Sequence, residues 1–356
     1  MTDLAIYHDS AFEGDSTETR PIGGTESSEI YIARELAKLG LDVVVFSKCS
    51  APGTYNKVNF MNCDDFASFN RKNRAKIFIA QTNPDMFLND INADVKTYLT
   101  DGAYTVRGNR NLSGKEIQAR IDKYIFKSKW QVETFIKHFN IASGKVFLTR
   151  NGIYLSNYAH PEIKKEKNRL IYVSEATRGL DVLLDIFPKV RKDFPDLTLY
   201  VYSDYEFYGQ PKGSAYIEYK HIFDKTKQPG VHNMGNVKPQ ELAKEFLKTY
   251  LLAYPCHFEE NCPTVTIEAL AAGVPVLTTA LAGLKETVLD NVTGKLIPGN
   301  ALSWWYKHRF IKELKAVLSN ETEWQRLSRN SLERAKKYYT WEMIAKEWLA
   351  EFKPYL

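Results

Sequence analysis

The chain repeatedly sets a short, wholly apolar run beside a longer segment of helical periodicity, and this alternation restricts its fold more than any other feature. Residues 43–46 read VVVF, with no polar residue to mark a solvent face. A strand that is apolar on both sides must be covered on both sides, which is the condition of a strand inside a parallel sheet layered by helices. Residues 4–8 form an earlier strand, a polar loop carrying Gly23-Gly24 follows, and Thr25 caps a helix to about Leu39 with Ile30, Ala33, Leu36 and Ala37 on one face. Further strands are predicted at 77–80, 97–100, 123–126 and 145–148.

After Asn151-Gly152 the same alternation starts afresh. Residues 160–169, HPEIKKEKNR, are charged, contain a proline and have little to bury, so they read as a linker. Beyond them come a strand at 170–173, a helix at 179–192 interrupted at Pro188, strands at 197–202 and near Val231, a helix at 239–248, a strand at 250–254, a helix at 264–272 and a strand at 274–278. Helices at 301–318, 321–338 and 341–352 close the chain. Its 356 residues suit two domains of about 150 residues. The expected fold is therefore α/β, with a first domain at 1–160 and a second at 165–339, each built on a parallel sheet. Two such halves would bind ligands at the carboxyl ends of their strands.

Composition excludes several classes. With 44% hydrophobic and 26% charged residues the bulk of the chain is not disordered. A net charge of +5 spread over the whole length draws anions only weakly. The four cysteines form no Cys-x-x-Cys pair and read as reduced, the opening MTDLAIYHDSAFEGD lacks the pattern of a secretory signal, and both point to a cytoplasmic protein. The uncharged run 269–284 is broken by Gly273 and Pro275 and falls short of the roughly 20 residues that span a bilayer.

Most chemistry is concentrated in residues 254–279, YPCHFEENCPTVTIEALAAGVPVLTT. Glu260 precedes a helix that starts near Thr264, and Glu268 lies one turn inside it. The amides of Thr264 and Val265 have no intrahelical acceptor and face the positive end of the helix dipole, which favours an anion such as a diphosphate. Carboxylates suit hydroxyls. Together they fit a nucleotide sugar, with phosphates on the amides and hydroxyls on the acids; equally, both acids fit as ordinary acidic residues at a helix start. Elsewhere, Asp101 in Thr100-Asp101-Gly102 reads as a hydrogen-bond acceptor for a sugar or as a simple Asp-Gly turn. His8-Asp9 ends the first strand. The basic loop 105–115, with Arg107, Arg110 and Lys115, reads as a solvated face or a site for an anionic acceptor. The aromatic stretch 202–219, with Tyr202, Tyr205, Phe207, Tyr208, Tyr216 and Tyr219, reads as packing or as a stacking surface. The chain contains no Asp-x-Asp and no His/Cys cluster of metal-ligand spacing.

The segment from Glu260 to Glu268 and the tail EALAAGVPVLTT resemble the E-x7-E signature of the family 4 retaining glycosyltransferases. Residues 170–184, LIYVSEATRGLDVLL, are similar to that family's strand and Arg-Gly turn. Gly23-Gly24-Thr25-Glu26 resembles its glycine-rich loop, Asn151-Gly152-Ile153 its turn at the end of the first domain, and Tyr339-Thr340-Trp341-Glu342 its last helix. The resemblance implies the GT-B fold, two Rossmann-like parallel-sheet domains facing across a cleft, with the helix at 340–356 crossing back to the first domain. It also implies a retaining glycosyltransferase whose donor is a nucleotide diphosphate sugar, UDP- or GDP-linked, with no other cofactor and no metal. Glu260 would hold hydroxyls of the donor sugar, Thr264 and Val265 the diphosphate, Glu268 the ribose, and Arg178, Gly23 and Gly24 the phosphates. Four places depart from the family: Asn261-Cys262-Pro263 follows the first Glu, Ser174-Glu175 stands where an Arg is usual, Tyr154 where an Asp is usual, and Asp101 where a His is usual. A glycan, a lipid-linked glycan or modified DNA are the acceptors in view, the lipid-linked one placing the protein at a membrane periphery. A sugar-nucleotide binder without activity is the further alternative; a nicotinamide-dependent oxidoreductase is disfavoured by the lack of G-x-G-x-x-G after either opening strand.

Overall fold

The computed structural model describes residues 1–204 and 214–356. The chain divides into two compact units, one made of Met1–Thr19, Gly24–Gly152 and Trp341–Leu356, the other of Arg20–Gly23 and Ile153–Thr340. Among the described residues the first unit holds strands β1 (Thr2–Tyr7), β2 (Val43–Ser47), β3 (Gly53–Tyr55), β4 (Val58–Asn62), β5 (Ala75–Gln81), β6 (Ala93–Leu99), β7 (Lys123–Phe126) and β8 (Val146–Leu148), in the sheet order β3-β4-β2-β1-β5-β6-β7-β8. All pairs are parallel except β3 with β4. The second unit holds β9 (Arg169–Val173), β10 (Thr198–Tyr202), β11 (Val231–Asn233), β12 (Leu251–Tyr254), β13 (Val276–Thr279) and β14 (Gly294–Ile297), ordered β11-β10-β9-β12-β13-β14 and parallel throughout.

Each sheet is wound outward from its first strand and then resumed on that strand's other side. The direction reverses between β1 and β5 in one unit and between β9 and β12 in the other. At such a point the crossover helices leave in opposite senses and open a crevice at the carboxyl ends, where ligands bind in folds of this kind.

The apolar runs are buried as their composition requires: all five residues of β2 are buried, as are all four of β12 and β13. Each fully buried Val, Leu, Ile or Phe contributes roughly 1.5–3 kcal/mol. Two local patterns gave no strand in the sequence. β3 and β4 form a hairpin whose turn residues, Asn56 and Lys57, have φ of 50° and 69°, the geometry of a two-residue hairpin that Asn-Gly would advertise and Asn-Lys does not. β14 is a four-residue edge strand without a repeating pattern. The helix Leu180–Arg191 continues through Pro188 instead of breaking. Proline removes the bond to the carbonyl four residues back, and here that carbonyl, Leu184 O, accepts from Gln228 Nε2 at 3.2 Å.

Residues 160–169 lie inside the second unit, and the crossing between units comes earlier, at Gly152–Ile153. Their charges are engaged. Lys165 Nζ donates to Leu247 O at 3.1 Å, at the end of the helix Pro239–Lys248, and burial lowers its pKa to about 7. Arg169 is buried, pairs with Glu166 and Glu245 and stacks 3.6 Å over the ring of Tyr200. The helix Trp341–Phe352 belongs to the first unit, where Trp348 Nε1 donates to Thr149 Oγ1 at 2.8 Å and Arg150 pairs with Glu347 at 2.7 Å. A side chain at Gly152 would meet the Trp341 ring at 2.7 Å. The four cysteines are buried and none of them is in a disulfide. No helix among the described residues is long and apolar enough to cross a membrane.

Candidate functional site

In the second unit the strands flanking the reversal, β9 and β12, deliver Arg178 and Glu260 to one place. After β9 the chain makes a short helical turn, Ala176–Arg178, and enters the helix Leu180–Arg191 through Gly179 at φ 129°. A Cβ there would lie 2.3 Å from Pro255 O. Glycine is thus what lets the turn press against the chain leaving β12, and the turn carries Arg178 onto the following loop. Arg178 Nη1 donates to Glu260 Oε1 at 3.0 Å, its Nε reaches Glu175 Oε2 at 3.3 Å, and its guanidinium lies 4.4 Å over the Phe258 ring.

Glu260 is 8% exposed. The hydroxyl of Tyr254, the last residue of β12, also donates to its Oε1 at 2.7 Å. Both donors meet one oxygen and leave Oε2 for a further partner. The loop is pinned from behind: Gly283 N donates to Glu260 O at 2.8 Å, and a Cβ on Gly283 would fall 1.6 Å from Asn261 O. Tyr172 OH donates to Glu175 O at 2.8 Å and holds the other arm of the Arg178 contact. Burial drives the hydroxyls of Tyr172 and Tyr254 well above the ordinary tyrosine range and the Cys256 thiol up to about 12, so these groups stay protonated.

The helix Thr264–Ala271 begins after Pro263, whose side chain caps nothing; Thr266 N donates to Pro263 O at 3.2 Å, leaving the amides of the first turn facing outward. Thr264 and Glu268 are half-buried, so this end of the helix is not sealed in the core. The Glu268 carboxyl has no hydrogen-bond or ion-pair partner among the described residues, and burial pushes its pKa up to about 7. An unpaired, desolvated carboxylate one turn inside an uncapped terminus is a group poised to gain donors from a ligand.

The structure joins Arg178 to Glu260, has Thr264, Val265 and Glu268 on the helix that follows Glu260 in the chain, and adds Tyr254, Glu175 and Gly283 to the surroundings of Arg178 and Glu260. Tyr254 closes an otherwise aliphatic strand, LLAY, which was a signal available in the sequence; the role of Gly283 depends on a contact across the fold and had none.

The remaining expected residues lie apart from this group. Gly24 opens the helix Gly24–Lys38 of the first unit, whereas Gly23 counts with the second. Asp101 follows β6 and is engaged, by Lys127 in an ion pair and by Gln81 Nε2 at 2.9 Å. Lys127 is only 6% exposed, so Asp101 supplies the counter-charge for a buried ammonium. Around Gln81, Leu99 and Lys127, at the carboxyl ends of β5, β6 and β7, a small recess is lined by Ser28, Glu29 and Trp341, with Gln81 Oε1 and Trp341 Nε1 lacking partners. His8, just after β1, lies 2.9 Å from Glu29; burial opposes its charge, but the Glu29 carboxylate raises its pKa on balance. Arg107, Arg110 and Lys115 are exposed. Their loop is tethered by buried Asn109, which accepts from Tyr98 OH and donates to Ala103 O at 2.7 Å. Tyr202 is buried and donates to Glu245 at 2.7 Å, a packing use. Tyr205, Phe207, Tyr208 and the Tyr216 side chain lie outside the described residues. Among those described, no three His, Cys, Asp or Glu side chains gather as a metal site.

Residues 167–309 match the family model for glycosyl transferases group 1. The spore coat protein SA of Bacillus subtilis is 20% identical over 238 residues, 62% of each chain. The lipopolysaccharide 1,2-N-acetylglucosaminetransferase of Salmonella typhimurium is 23% identical over 233 residues, 58% of this chain and 61% of its own. The chain therefore spans about three fifths of the length of these relatives. Two structures of Anabaena HepE, one in complex with UDP-glucose and one with UDP and glucose, superpose with TM-scores of 0.76 and 0.74 over the whole of both chains, at 13% and 14% identity. With the two parallel sheets, this gives the chain the two-domain Rossmann-like GT-B fold. The likeness to group 1 glycosyl transferases lies in residues 167–309, within the second unit.

Proposed function

We propose that the protein is a group 1 glycosyltransferase that moves a sugar from a nucleotide diphosphate sugar, UDP- or GDP-linked, to a hydroxyl of a glycan or lipid-linked glycan, with retention at the anomeric carbon and without a metal. The observation that carries this reading is the group at the β9/β12 reversal: Glu260 fixed by Arg178 and Tyr254 with one oxygen open, ahead of an uncapped helix terminus that bears the unpartnered Glu268 carboxyl. In the proposed complex the diphosphate lies on the amides of Thr264 and Val265, Glu268 accepts from the ribose hydroxyls and Glu260 Oε2 from the sugar. The approach of a diphosphate draws Arg178 from its carboxylate partners toward the phosphate, where its fork stabilises the negative charge of the departing group. Gly23 and Gly24 present backbone to the phosphate or the acceptor. Asp101, held by Lys127 and Gln81 in the first unit, accepts a hydrogen bond from the sugar or the acceptor in this reading.

The name of the Salmonella relative supports a carbohydrate acceptor; the DNA and non-catalytic readings are not favoured. Calorimetric titration with UDP-, GDP-, ADP- and CMP-sugars tests the donor, and NMR of the product anomer tests retention. A protein that binds none of these, or a product of inverted configuration, sinks the reading.

A further inference from the structure

Three large apolar side chains stand exposed together on the second unit: Leu302 at 54%, Trp304 at 63% and Trp305 at 70%. They occupy the end of the loop leaving β14 and the first turn of the helix Trp304–Ser319. Ser303 Oγ accepts from Tyr306 N at 3.2 Å and caps that turn. The helix buries Tyr306, Phe310, Leu314 and Val317, so its periodicity turns Trp304, Trp305, His308, Arg309 and Lys312 to solvent. Trp304 packs edge-on against Trp305, with centroids 4.7 Å apart, and stacks on His308. Lys307 pairs with Asp185 at 2.8 Å, which leaves His308, Arg309 and Lys312 as the exposed basic groups here, and from 298 to 312 the sequence contains no Asp or Glu, the next acid being Glu313.

We propose that Leu302, Trp304 and Trp305, with Arg309 and Lys312 behind them, form a docking surface for a lipid bilayer bearing anionic headgroups. Each part suits that partner. Indole rings favour the boundary between headgroup and hydrocarbon, a leucine inserts below them, and long cationic side chains keep their charge at headgroup level while covering apolar surface. Charge complementarity decides between occupants: a second copy brought to this face by two-fold symmetry would set the same cations close to one another. The rings are inclined by 74°, so they offer no single flat platform for stacking a sugar. Because β14 is parallel to β12, the patch leaves the sheet at the same end as the Glu260 loop, and a lipid-linked acceptor would be met at that end. The surface itself is inferred independently of the transfer reaction.

The test is flotation of the full chain with phosphatidylcholine vesicles, with and without about one third phosphatidylglycerol. The wild-type protein is expected to float with the anionic vesicles, at least about tenfold more weakly with the neutral ones, and less as salt rises. Leu302→Ser/Trp304→Ser/Trp305→Ser should reduce flotation at least about tenfold, and Arg309→Glu/Lys312→Glu should remove the preference for anionic vesicles. Circular dichroism and thermal unfolding of both variants, expected to match wild type, exclude misfolding as the cause. Wild-type protein that does not float, or a triple variant that floats unchanged, overturns the proposal. So does a triple substitution whose only effect is to turn a dimer into a monomer in sedimentation, or to abolish binding of a soluble glycan.

Discussion

Glu268, proposed to take the ribose hydroxyls, is a carboxyl whose ionisation works against the fold. Its folded carboxyl keeps a proton up to about pH 7, against an ordinary value of 4.5. As pH rises through that window the folded state must ionise a buried group, and stability falls. Glu268→Gln should therefore unfold at a higher temperature than wild type near about pH 8, the gap closing near about pH 4. Donor binding should move the other way. Hydroxyls that donate to the carboxylate favour its ionised form, so wild-type affinity for a UDP-sugar should rise from about pH 6 to about pH 8, and the variant should bind about tenfold or more weakly with a flat profile. A variant that binds as tightly as wild type removes the ribose role. Asp101 offers a separate test. Asp101→Ala leaves the buried Lys127 ammonium without its partner and should cost about 3 kcal/mol in thermal unfolding, largely restored by adding Lys127→Met; an unchanged midpoint would mean the pair contributes nothing. Residue types and spacing made Glu260 and Glu268 candidates, and the family resemblance added Arg178. They carried no sign that Arg178 touches Glu260, 82 positions away, or that Asp101 neutralises a lysine.

At the scale of elements, the sequence was legible where a segment repeats its own pattern. Apolar runs of four or five residues became buried parallel strands, and amphipathic stretches became the helices Gly24–Lys38 and Pro239–Lys248. It was illegible where stability comes from a neighbour. The β3–β4 hairpin turns on residues that do not announce a turn, Pro188 is tolerated because Gln228 takes the freed carbonyl, and residues 160–169, charged enough to read as a linker, dock through Lys165 and Arg169. The loop bearing Glu260 is also held from outside. Gly283→Ala would place a methyl group 1.6 Å from Asn261 O, so the peptide after Glu260 must shift. The variant should lose about 2 kcal/mol of stability and most of its donor affinity in calorimetry; full affinity would show that the loop has slack the packing does not suggest.

For the whole molecule, the proposed chemistry places the neutralisation of the diphosphate on a helix terminus and one arginine. A UDP-sugar at about 100 times its Kd should stabilise the protein by about 2.7 kcal/mol, equally in EDTA and in Mg²⁺ or Mn²⁺. A stabilisation or turnover that vanishes in EDTA and returns with either ion would overturn the metal-independent reading. The sequence by itself determined the class of the chain: two runs of alternating strand and helix, apolar on the faces a parallel sheet must bury, and one segment whose acids and helix start suit a sugar nucleotide. Hydrophobic periodicity is local, and every few residues restate it. Tertiary structure alone decided the strand order, and hence that β9 lies beside β12 and Arg178 beside Glu260 and Tyr254. Such neighbours are joined by crossovers of many residues, and which strands pair depends on the packing of the entire sheet, so no short stretch of sequence records it.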